Sequence, residues 1–325
     1  MSGAPDFADA LARTAPKFAR GDVTNLKRLS GGASQETWSF DVGDEGFILR
    51  RAPGGQSLGQ SAHAIGLEME AKVIRAATAV GAPAPDVVHV CAPEDGVGQA
   101  YVMRRLAGET IARKILRDDE FANARPKLAR QCGNALAKIH RTQGMELPVL
   151  TAKAQLDRYE EIFRSFETPR PTFELAFAEL RKRIPEPIEP VLVHGDFRHG
   201  NIMVDANGLV AALDWELAHL GDPAEDLGWV CTPSWRFSQT DNEAGGFGSA
   251  ADLIAGYHEA GGDKRVDEAR VRYWTMLGAL KWGIMCLTMY RIYESGMDRS
   301  VERAAIGRRA SETELDLALM FAGKL

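Results

Sequence analysis

The sequence predicts an α+β protein in which strands dominate the first third of the chain and helices dominate the rest. Three observations support this prediction. Short apolar or alternating segments recur up to residue 103, helical spacing of apolar residues dominates from residue 121 onward, and Gly108 lies between these two parts. We therefore expect one lobe over residues 1–107 and a larger, mainly helical lobe over residues 108–325.

The composition is that of an ordinary globular protein, with 45% hydrophobic and 26% charged residues in a chain of 325. A net charge of −6 gives no overall positive field for nucleic acid or an anionic membrane. No apolar run is long enough to span a membrane, and the four widely spaced cysteines form no C-x-x-C pair that would indicate zinc. We expect a cytoplasmic protein that needs no nucleic acid, membrane or obligate protein partner.

The first lobe is predicted to begin with a helix over residues 7–18, which a proline interrupts near its end. A second helix is expected over residues 62–80, ending at a Gly-Ala-Pro break. Glu68 and Glu70 lie on different faces of this helix, and the apolar pattern favours Glu70 as the inward one. The strand candidates are residues 23–29, 38–42, 47–50, 87–90 and 99–103.

A glycine-containing segment joins the first two strand candidates. It reads Ser30-Gly31-Gly32-Ala33-Ser34, and its glycines would let backbone N–H groups approach a phosphate, with the Ser34 hydroxyl as a further donor. The segment does not match G-x-G-x-x-G, and Ser-Gly-Gly is also a common hairpin turn. Gly31, Gly32 and Ser34 are therefore candidate phosphate-binding residues, with a plain turn as the alternative.

The second lobe is predicted to be mainly helical. His140 lies on a mostly apolar helical face, so we interpret it as a packing residue rather than as a catalytic base. A further helix is expected to start near residue 223, with acidic residues in its first turn. The other helix candidates are residues 121–142, 155–166, 173–183, 250–260, 267–293 and 301–321.

Residues 191–226 place three oxygen-bearing side chains at the ends of short strand candidates. Asp196 follows an apolar run, Asn201 precedes the next strand, and Asp214 ends a third. Mg²⁺ prefers carboxylate and amide oxygens together with the phosphates of a substrate. Asn201 and Asp214 are the candidate metal ligands, and Asp196 is left to orient a hydroxyl and accept its proton during phosphoryl transfer.

The run H-G-D-x-x-x-x-N at residues 194–201, followed by a strand that ends in Asp214, resembles the catalytic and metal loops of the aminoglycoside phosphotransferase and choline kinase group, relatives of the protein kinases. Residues 213–223 are most similar to a bacterial subgroup whose relatives include kinase-like domains fused to acyl-CoA dehydrogenases. The resemblance implies a bilobal protein-kinase-like fold with an antiparallel sheet in the N-terminal lobe. It also implies ATP and Mg²⁺ as cofactors and a small-molecule hydroxyl as the acceptor.

By this resemblance, Arg50 takes the place of the kinase lysine that contacts the α- and β-phosphates, and Glu70 is its ion-pair partner. The neighbouring Arg51 is an alternative phosphate contact, and arginine and lysine differ in reach and geometry. His194, the second candidate catalytic residue, is expected to support the catalytic loop rather than to perform acid–base chemistry. Asp226 is expected to brace the backbone of the same loop.

The segment at residues 101–108 resembles the hinge of this kinase group. The resemblance implies that the adenine of ATP bonds to the backbone at Arg104 and Leu106, with Met103 packed near the ring. The arginine side chains of this segment would then be free to remain in solvent.

The group places its acceptor site in the last, helical part of the chain, here residues 232–325. Acidic and basic residues are almost balanced there, which favours a neutral or anionic metabolite over a polycationic aminoglycoside. The subgroup suggests a hydroxyacyl-CoA or a related hydroxy acid. Core packing is the alternative for the aromatic residues. The candidate substrate residues are Trp235, Arg236, Lys281, Trp282 and Arg291.

The intact set Asp196, Asn201 and Asp214 favours an ATP- and Mg²⁺-dependent phosphotransferase that acts on a small-molecule hydroxyl. Two alternatives stay open: a nucleotide-binding pseudokinase, supported by the arginine at the lysine position, and an aminoglycoside- or choline-type kinase. Protein kinase activity is disfavoured because no Ala-Pro-Glu motif follows Asp214.

Overall fold

The computed structural model describes residues 4–29, 35–55 and 64–325. Its α+β architecture has two lobes, which confirms the predicted fold class: an N-terminal lobe built on one antiparallel sheet and a larger, mainly helical C-terminal lobe. The elements of the first lobe are the helices α1 (Ala4–Thr14) and α2 (Leu67–Ala79) and the strands β1 (Val23–Arg28), β2 (Glu36–Val42), β3 (Glu45–Arg51), β4 (Val87–Val90) and β5 (Ala100–Arg104).

The five strands pair in the order β1-β2-β3-β5-β4, and each neighbouring pair is antiparallel. Because side chains alternate along a strand, the two faces of the sheet differ. Phe47 and Leu49 of β3 are buried together with Leu11 of α1, whereas Ile48 and Arg50 line a cavity on the other face. Arg50 of β3 is therefore directed into the space between the lobes.

The second lobe contains helices and short strands. The helices are α3 (Ala112–Arg117), α4 (Arg125–Ile139), α5 (Ala152–Ser165), α6 (Pro171–Lys182), α7 (Ala224–Cys231), α8 (Ala250–Glu259), α9 (Glu268–Glu294), α10 (Val301–Arg308) and α11 (Ala310–Phe321). The strands are β6 (Val149–Leu150), β7 (Val191–Val193), β8 (Ile202–Asp205), β9 (Gly208–Ala212) and β10 (His219–Gly221).

A long central helix, α9, organises the second lobe. Helices α6, α7, α10 and α11 pack against it, and most of its residues from Val271 to Leu287 are buried. Helices α4 and α8 approach each other closely. A Cβ atom at Gly133 or Gly256 would overlap the backbone of the facing helix, so the glycines at these positions permit the close approach. The main apolar core continues from these helices into α2 of the first lobe.

Two small sheets carry the catalytic segment. Strand β7 pairs with β10, while β8 and β9 form a hairpin. Asp205 Oδ1 closes the hairpin turn by accepting the N–H groups of Asn207 at 2.7 Å and Gly208 at 3.0 Å. At the open end, the Leu213 N–H donates to the Asn201 carbonyl at 2.7 Å. This bond holds the residue before Asp214 beside Asn201.

Most of the predicted elements are present, with some differences at their ends. The helix expected over residues 62–80 begins at Leu67, after Gly66 with its φ of +73°. The helix expected from residue 121 begins at Arg125, because a short 3₁₀ turn precedes it. The helix expected over residues 301–321 is divided into α10 and α11, which both pack on α9.

Three elements were not expected from the sequence: α3, β6 and β10 are too short for periodicity to indicate them. Gly108 falls between β5 and α3, and the division of the chain at this residue stays a prediction. In the described part of the chain, no helix is long and apolar enough to cross a membrane.

Candidate active site

A cavity of about 390 Å³ lies between the sheet of the first lobe and the second lobe. Apolar side chains such as Ile48, Ile74 and Leu213 form much of its wall. This size and lining are typical of a small-molecule site. The candidate cofactor and metal residues that line it are Arg50, Met103, Arg104, Leu106 and Asp214.

The end of β5 forms one edge of the cavity. The Arg104 N–H donates to the Asp86 carbonyl and the Arg105 N–H to the Gly46 carbonyl, each at 2.9 Å, which fixes the backbone on both sides. The Arg104 side chain is directed outward, where it pairs with Glu45 and lies 3.5 Å from Asp86. The backbone rather than the charged side chain of Arg104 is therefore the part suited to a planar base.

Arg50 joins the two lobes by ion pairs. Its guanidinium lies 2.7 Å from Oδ1 of Asp214 and 3.5 Å from Glu70. Glu70 is fully buried on α2, while Glu68 pairs with Lys72 at the surface, as the apolar pattern of this helix indicates. Burial raises the pKa of Glu70 to about 7 although the charge of Arg50 opposes that increase.

Arg51 lies on the opposite face of the sheet. Its guanidinium donates to the Val97 carbonyl at 2.7 Å, pairs with Glu36 at 3.0 Å and stacks 4.4 Å from the Phe7 ring centroid. Successive side chains of a strand project to opposite faces, so Arg50 and Arg51 cannot both reach the cavity. Of the two arginines between which the sequence leaves a choice, Arg50 is on the cavity side.

Hydrogen bonds from three side chains orient the carboxylate of Asp196. Arg198 donates to its two oxygens at 2.9 and 3.1 Å, Trp229 Nε1 donates to Oδ1 at 2.8 Å, and Asn201 Nδ2 donates to Oδ2 at 2.5 Å. Bonds to a charged acceptor are stronger than neutral ones and restrict its rotation. The Asp196 carboxylate is therefore preorganised in one orientation.

Asn201 and Asp214 fit a magnesium ion by their chemistry. The Asn201 amide directs Nδ2 to Asp196, which leaves Oδ1 as the ligand atom. Arg50 donates to Oδ1 of Asp214, so Oδ2 is available. Asp214 also has a φ of +64°, a strained conformation of the kind that concentrates at functional sites. One carboxylate and one amide oxygen are ligands that Mg²⁺ accepts beside phosphate oxygens.

Two buried side chains brace the catalytic loop. Asp226 accepts the N–H groups of His194 at 2.8 Å and Gly195 at 3.0 Å, which is the contact expected of it. His194 Nε2 donates to the Leu213 carbonyl at 3.1 Å, and its Nδ1 accepts the Asp196 N–H at 3.3 Å. Burial lowers the pKa of His194. Both ring nitrogens of the neutral imidazole are engaged in hydrogen bonds, so His194 is suited to supporting the loop rather than to acid–base chemistry.

His140 lies beneath this brace and adds a polar contact to the packing role that we expect of it. Its Nε2 is 3.2 Å from Asp226 and its Nδ1 is 3.1 Å from the Tyr257 hydroxyl. The ring thus links α4, α7 and α8. It contacts neither Asp196 nor the cavity directly, so it acts on the site only through Asp226.

Three of the candidate substrate residues lie near Asp196. Trp235 packs against Trp229, with ring centroids 5.3 Å apart, and against Trp282 at 4.9 Å. The Lys281 ammonium is 5.6 Å from the centre of the Trp229 ring. The indole N–H groups of Trp235 and Trp282 are buried and have no hydrogen-bond partner within the described residues. These rings form an aromatic cluster behind Trp229, the donor to Asp196.

Lys281 differs from the expectation of an open substrate-binding cation. Its ammonium donates to Gln155 Oε1 at 2.7 Å and pairs with Glu225 at 3.0 Å. His219 lies 3.2 Å from the other oxygen of Glu225. Because these partners already neutralise and bond the ammonium, Lys281 supports Trp229 from behind.

Arg236 and Arg291 are not brought to Asp196. Arg236 is buried and donates to the Cys231 carbonyl at 2.9 Å, at the end of α7. Arg291 donates to the Phe166 carbonyl at 2.6 Å and lies ten residues, roughly 15 Å along a helix, from Lys281. Both guanidinium groups donate to carbonyl groups at helix ends. This structural role accounts for the two arginines without any contact to a substrate.

Two residues in contact with Asp196 were not singled out from the sequence. Arg198 is two residues further along the same loop, at one of the four variable positions of the motif H-G-D-x-x-x-x-N. Trp229 lies three residues after Asp226 on α7, so the two occupy neighbouring positions on one helix face. That spacing from the expected brace is the signal that could have identified Trp229.

Gly31, Gly32 and Ser34 lie outside the described residues, so their role in binding phosphate stays a prediction. Leu29, just before this segment, lines the cavity.

The fold and the site are those of the kinase-type phosphotransferases. The chain belongs to the phosphotransferase enzyme family, whose family model matches residues 25–262. This confirms the resemblance that the motif at residues 194–201 indicates.

Solved structures share the fold over almost the whole chain. A Ralstonia eutropha JMP134 protein named as an aminoglycoside phosphotransferase has a TM-score of 0.76 at 20% identity, covering 97% of this chain and 98% of its own. A choline/ethanolamine kinase family protein from Mesorhizobium loti has a TM-score of 0.63 at 21% identity, covering 90% and 87%. A spectinomycin phosphotransferase, solved with ADP and spectinomycin, has a TM-score of 0.66 at 14% identity, covering 96% and 98%. At these identities the similarity establishes the fold.

The curated relatives are much longer proteins. Acyl-CoA dehydrogenase family member 10 of Mus musculus is 27% identical over 221 residues, which are 63% of this chain and 20% of that protein. Acyl-CoA dehydrogenase family member 11 of Homo sapiens is 27% identical over 255 residues, which are 71% of this chain and 32% of that protein. The chain spans about a fifth to a third of these relatives.

Proposed function

We propose that the protein transfers the γ-phosphoryl group of ATP to a hydroxyl group of a small metabolite in a Mg²⁺-dependent reaction. The observation that carries this proposal is the arrangement at the inter-lobe cavity. Asp196 and Asn201 are hydrogen-bonded to each other, Asp214 is held beside Asn201, and Arg50 reaches Asp214 from the other lobe. An oriented carboxylate, two oxygen ligands and a cation are the groups that phosphoryl transfer requires of a protein.

In this proposal Asp196 orients the acceptor hydroxyl and takes its proton as the new O–P bond forms. Arg198 and Trp229 already orient the carboxylate, so little further ordering is needed when the acceptor arrives. Asn201 and Asp214 hold Mg²⁺, which when bound neutralises charge on the phosphates.

In this proposal the nucleotide binds in the cavity between the lobes. Arg50 contacts the α- and β-phosphates, and Glu70 holds the guanidinium in position. Adenine forms hydrogen bonds with the backbone at Arg104 and Leu106, with Met103 beside the ring. The location of all three residues in the cavity wall supports this placement. A spectinomycin phosphotransferase of the same fold was solved with ADP, which supports an adenine nucleotide as the phosphate donor.

The acceptor is a neutral or anionic metabolite, and a hydroxyacyl-CoA is the first candidate. Trp235 lies near Asp196 with the Arg198 guanidinium 4.6 Å from its ring, so cationic and aromatic groups adjoin the carboxylate. Such groups favour an anionic or acyl substrate over a polycationic aminoglycoside. The names of the curated relatives refer to acyl-CoA enzymes, which supports the same class.

The test is transfer from labelled ATP to a pooled panel of hydroxyacyl-CoAs, hydroxy acids, choline, sugars and aminoglycosides, with and without Mg²⁺. We expect a labelled hydroxyacyl-CoA or hydroxy acid whose formation is lost in Asp196→Asn. Nucleotide affinity should be unchanged in that variant, because Asp196 does not line the cavity.

Each other outcome has a defined meaning. A labelled aminoglycoside as the main product would contradict the proposed acceptor class. Transfer that survives Asp196→Asn would contradict the role of Asp196. Tight ATP binding without any product would favour a nucleotide-binding protein in which the Arg50–Asp214 ion pair persists.

A further inference from the structure

A second cluster of potential ligands lies on the face of the sheet that packs against α1, opposite the cavity. His89 on β4 and Cys91 just after it are two residues apart and project to the same face. The short turn at residues 93–95 then brings Asp95 back towards them, with its N–H bonded to the Ala92 carbonyl at 3.0 Å. One ligand atom from each of His89, Cys91 and Asp95 lies within 4.8 Å of the others.

The Asp95 carboxylate is a buried anion whose present counter-ion is a lysine. It lies 2.5 Å from Lys17 Nζ and 2.9 Å from His89 Nε2, and it accepts the Ala92 N–H at 2.9 Å. Burial would raise the pKa of Asp95, but the bonds from Lys17 and His89 lower it to about 2. The carboxylate is therefore ionised throughout the working pH range, at a position that already attracts a cation.

We propose that His89, Cys91 and Asp95 form a zinc-binding site in which Zn²⁺ takes the place of the Lys17 ammonium. An imidazole nitrogen, a thiolate and a carboxylate are a ligand set that suits Zn²⁺ and not Mg²⁺. Tetrahedral zinc with bonds of about 2.0–2.3 Å needs ligand atoms roughly 3.3–3.8 Å apart. The cluster reaches that geometry by side-chain shifts of about 1 Å, and water completes the fourth position.

The surroundings of the cluster provide access and support. Cys91 lines a surface cavity of about 820 Å³, and both His89 and Cys91 are only partly buried, so the edge of the cluster is close to solvent. No hydrogen bond of the Cys91 thiol is made within the described residues. His89 is held by stacking on Phe18 at 5.8 Å, and the Ala92 N–H orients Asp95. The side chain of Lys17 is 45% exposed, so it can move into solvent without breaking the core.

Binding is coupled to the release of one proton. Zinc binds the thiolate form of cysteine, so the Cys91 thiol proton leaves to solvent as the Zn–S bond forms. Lys17 keeps its proton and loses only its partner.

The experiment uses Co²⁺ and Zn²⁺ alone as probes, added to the chelator-treated full chain without nucleotide. We expect one equivalent of Co²⁺ to produce a thiolate-to-cobalt charge-transfer absorption, and Zn²⁺ to displace it. Cys91→Ser should remove this absorption and weaken Zn²⁺ binding at least about tenfold. An absent thiolate absorption, or one that survives Cys91→Ser, would overturn the proposal.

A gain-of-affinity variant separates ligand loss from misfolding. Lys17→Met removes the competing ammonium and should tighten Zn²⁺ binding about tenfold, or about 1.4 kcal/mol. Lys27→Met is the matched control, because it removes the same charge from an exposed position on β1. Equal affinity in Lys17→Met and the parent chain would contradict the exchange of lysine for zinc. The result is independent of ATP and of the acceptor, so it tests this site and not the phosphotransfer reaction.

Discussion

Two buried glutamates flank the catalytic segment, and their surroundings differ. Glu70 on α2 meets one cation, Arg50, at 3.5 Å, and that cation lies closer to Asp214 at 2.7 Å. Glu225 on α7 has three partners within 3.2 Å: Lys281, His219 and Gln155. The first cluster joins the two lobes, whereas the second lies within the C-terminal lobe.

The difference appears in the pKa values of the two carboxyl groups. Burial is the largest influence on both and raises the pKa of each. For Glu70 it prevails and the pKa rises to about 7, while for Glu225 the charges of Lys281 and His219 prevail and the pKa falls to about 2. The C-terminal cluster is therefore a permanent scaffold. Arg50 and Glu70 are less fully compensated, which leaves the guanidinium able to rearrange in the nucleotide binding proposed above.

The largest effect is expected from breaking the scaffold. Glu225→Gln leaves Lys281 as a buried cation without its anionic partner, and we expect the free energy of unfolding to fall by about 3–5 kcal/mol. Urea denaturation measures this. The double variant Glu225→Gln with Lys281→Met should recover part of the loss, because it leaves no unpaired charge. A loss below about 1 kcal/mol in the single variant would show that the two clusters do not differ in this way.

The second expected effect is a pH dependence of the free energy of unfolding, which arises from the raised pKa of Glu70. Its folded pKa of about 7 exceeds its ordinary value of 4.5, so the folded protein holds a proton that the unfolded chain releases between these values. The contribution of Glu70 is therefore full below pH 4.5 and is lost as the pH rises through about 7.

The free energy of unfolding of the parent chain, measured relative to Glu70→Gln, should fall by about 2 kcal/mol between about pH 5 and 7.5. A constant difference over this interval would contradict the raised pKa. The sign is opposite for Glu225: its folded pKa of about 2 makes its contribution present above pH 4.5 and lost as the pH falls towards 2.

The third effect is on nucleotide use. Glu70→Gln should not lower the free energy of unfolding at pH 7, because the amide has the shape of the protonated carboxyl group and does not titrate. It should lower kcat/KM for ATP about tenfold, since Arg50 then has only Asp214 to position it. Steady-state kinetics measures the ratio. Glu68→Gln is the matched control on the exposed face of α2, and an equal loss in both variants would count against the role of Glu70.

The smallest effect concerns Trp229, which connects the scaffold to Asp196. Its indole N–H donates to Asp196 and its ring lies 5.6 Å from the Lys281 ammonium. Trp229→Phe keeps the ring but loses the bond, and Arg198 and Asn201 continue to hold the carboxylate. We therefore expect kcat to fall about fivefold, or about 1 kcal/mol, with KM for ATP unchanged.

Trp274→Phe is the matched control for that measurement. Trp274 is buried on α9, and its indole N–H has no hydrogen-bond partner within the described residues. A similar decrease of kcat in both variants would mean that ring packing, rather than the bond to Asp196, is responsible.

The spacing of apolar residues in the sequence correctly predicted which face of a helix is buried. The helical pattern of residues 62–80 placed Glu70 inward and Glu68 outward, and both lie there. The spacing could not identify the residues with which the buried charged side chains form ion pairs. Lys281 was expected to face an acceptor, yet it pairs with Glu225, because two positions 56 residues apart are brought together by the packing of α7 on α9.

The sequence by itself determined the order of most elements and the segment at residues 191–226 that carries the oxygen-bearing side chains. Both are local properties, set by periodicity and by a contiguous motif. Only the tertiary structure decided that Arg50 rather than Arg51 reaches Asp214, across a separation of 164 residues. It also decided that His89, Cys91 and Asp95 converge, in a spacing that matches no usual zinc pattern. A local pattern determines which face of an element is buried, but the groups that meet that face are selected by the packing of the whole chain.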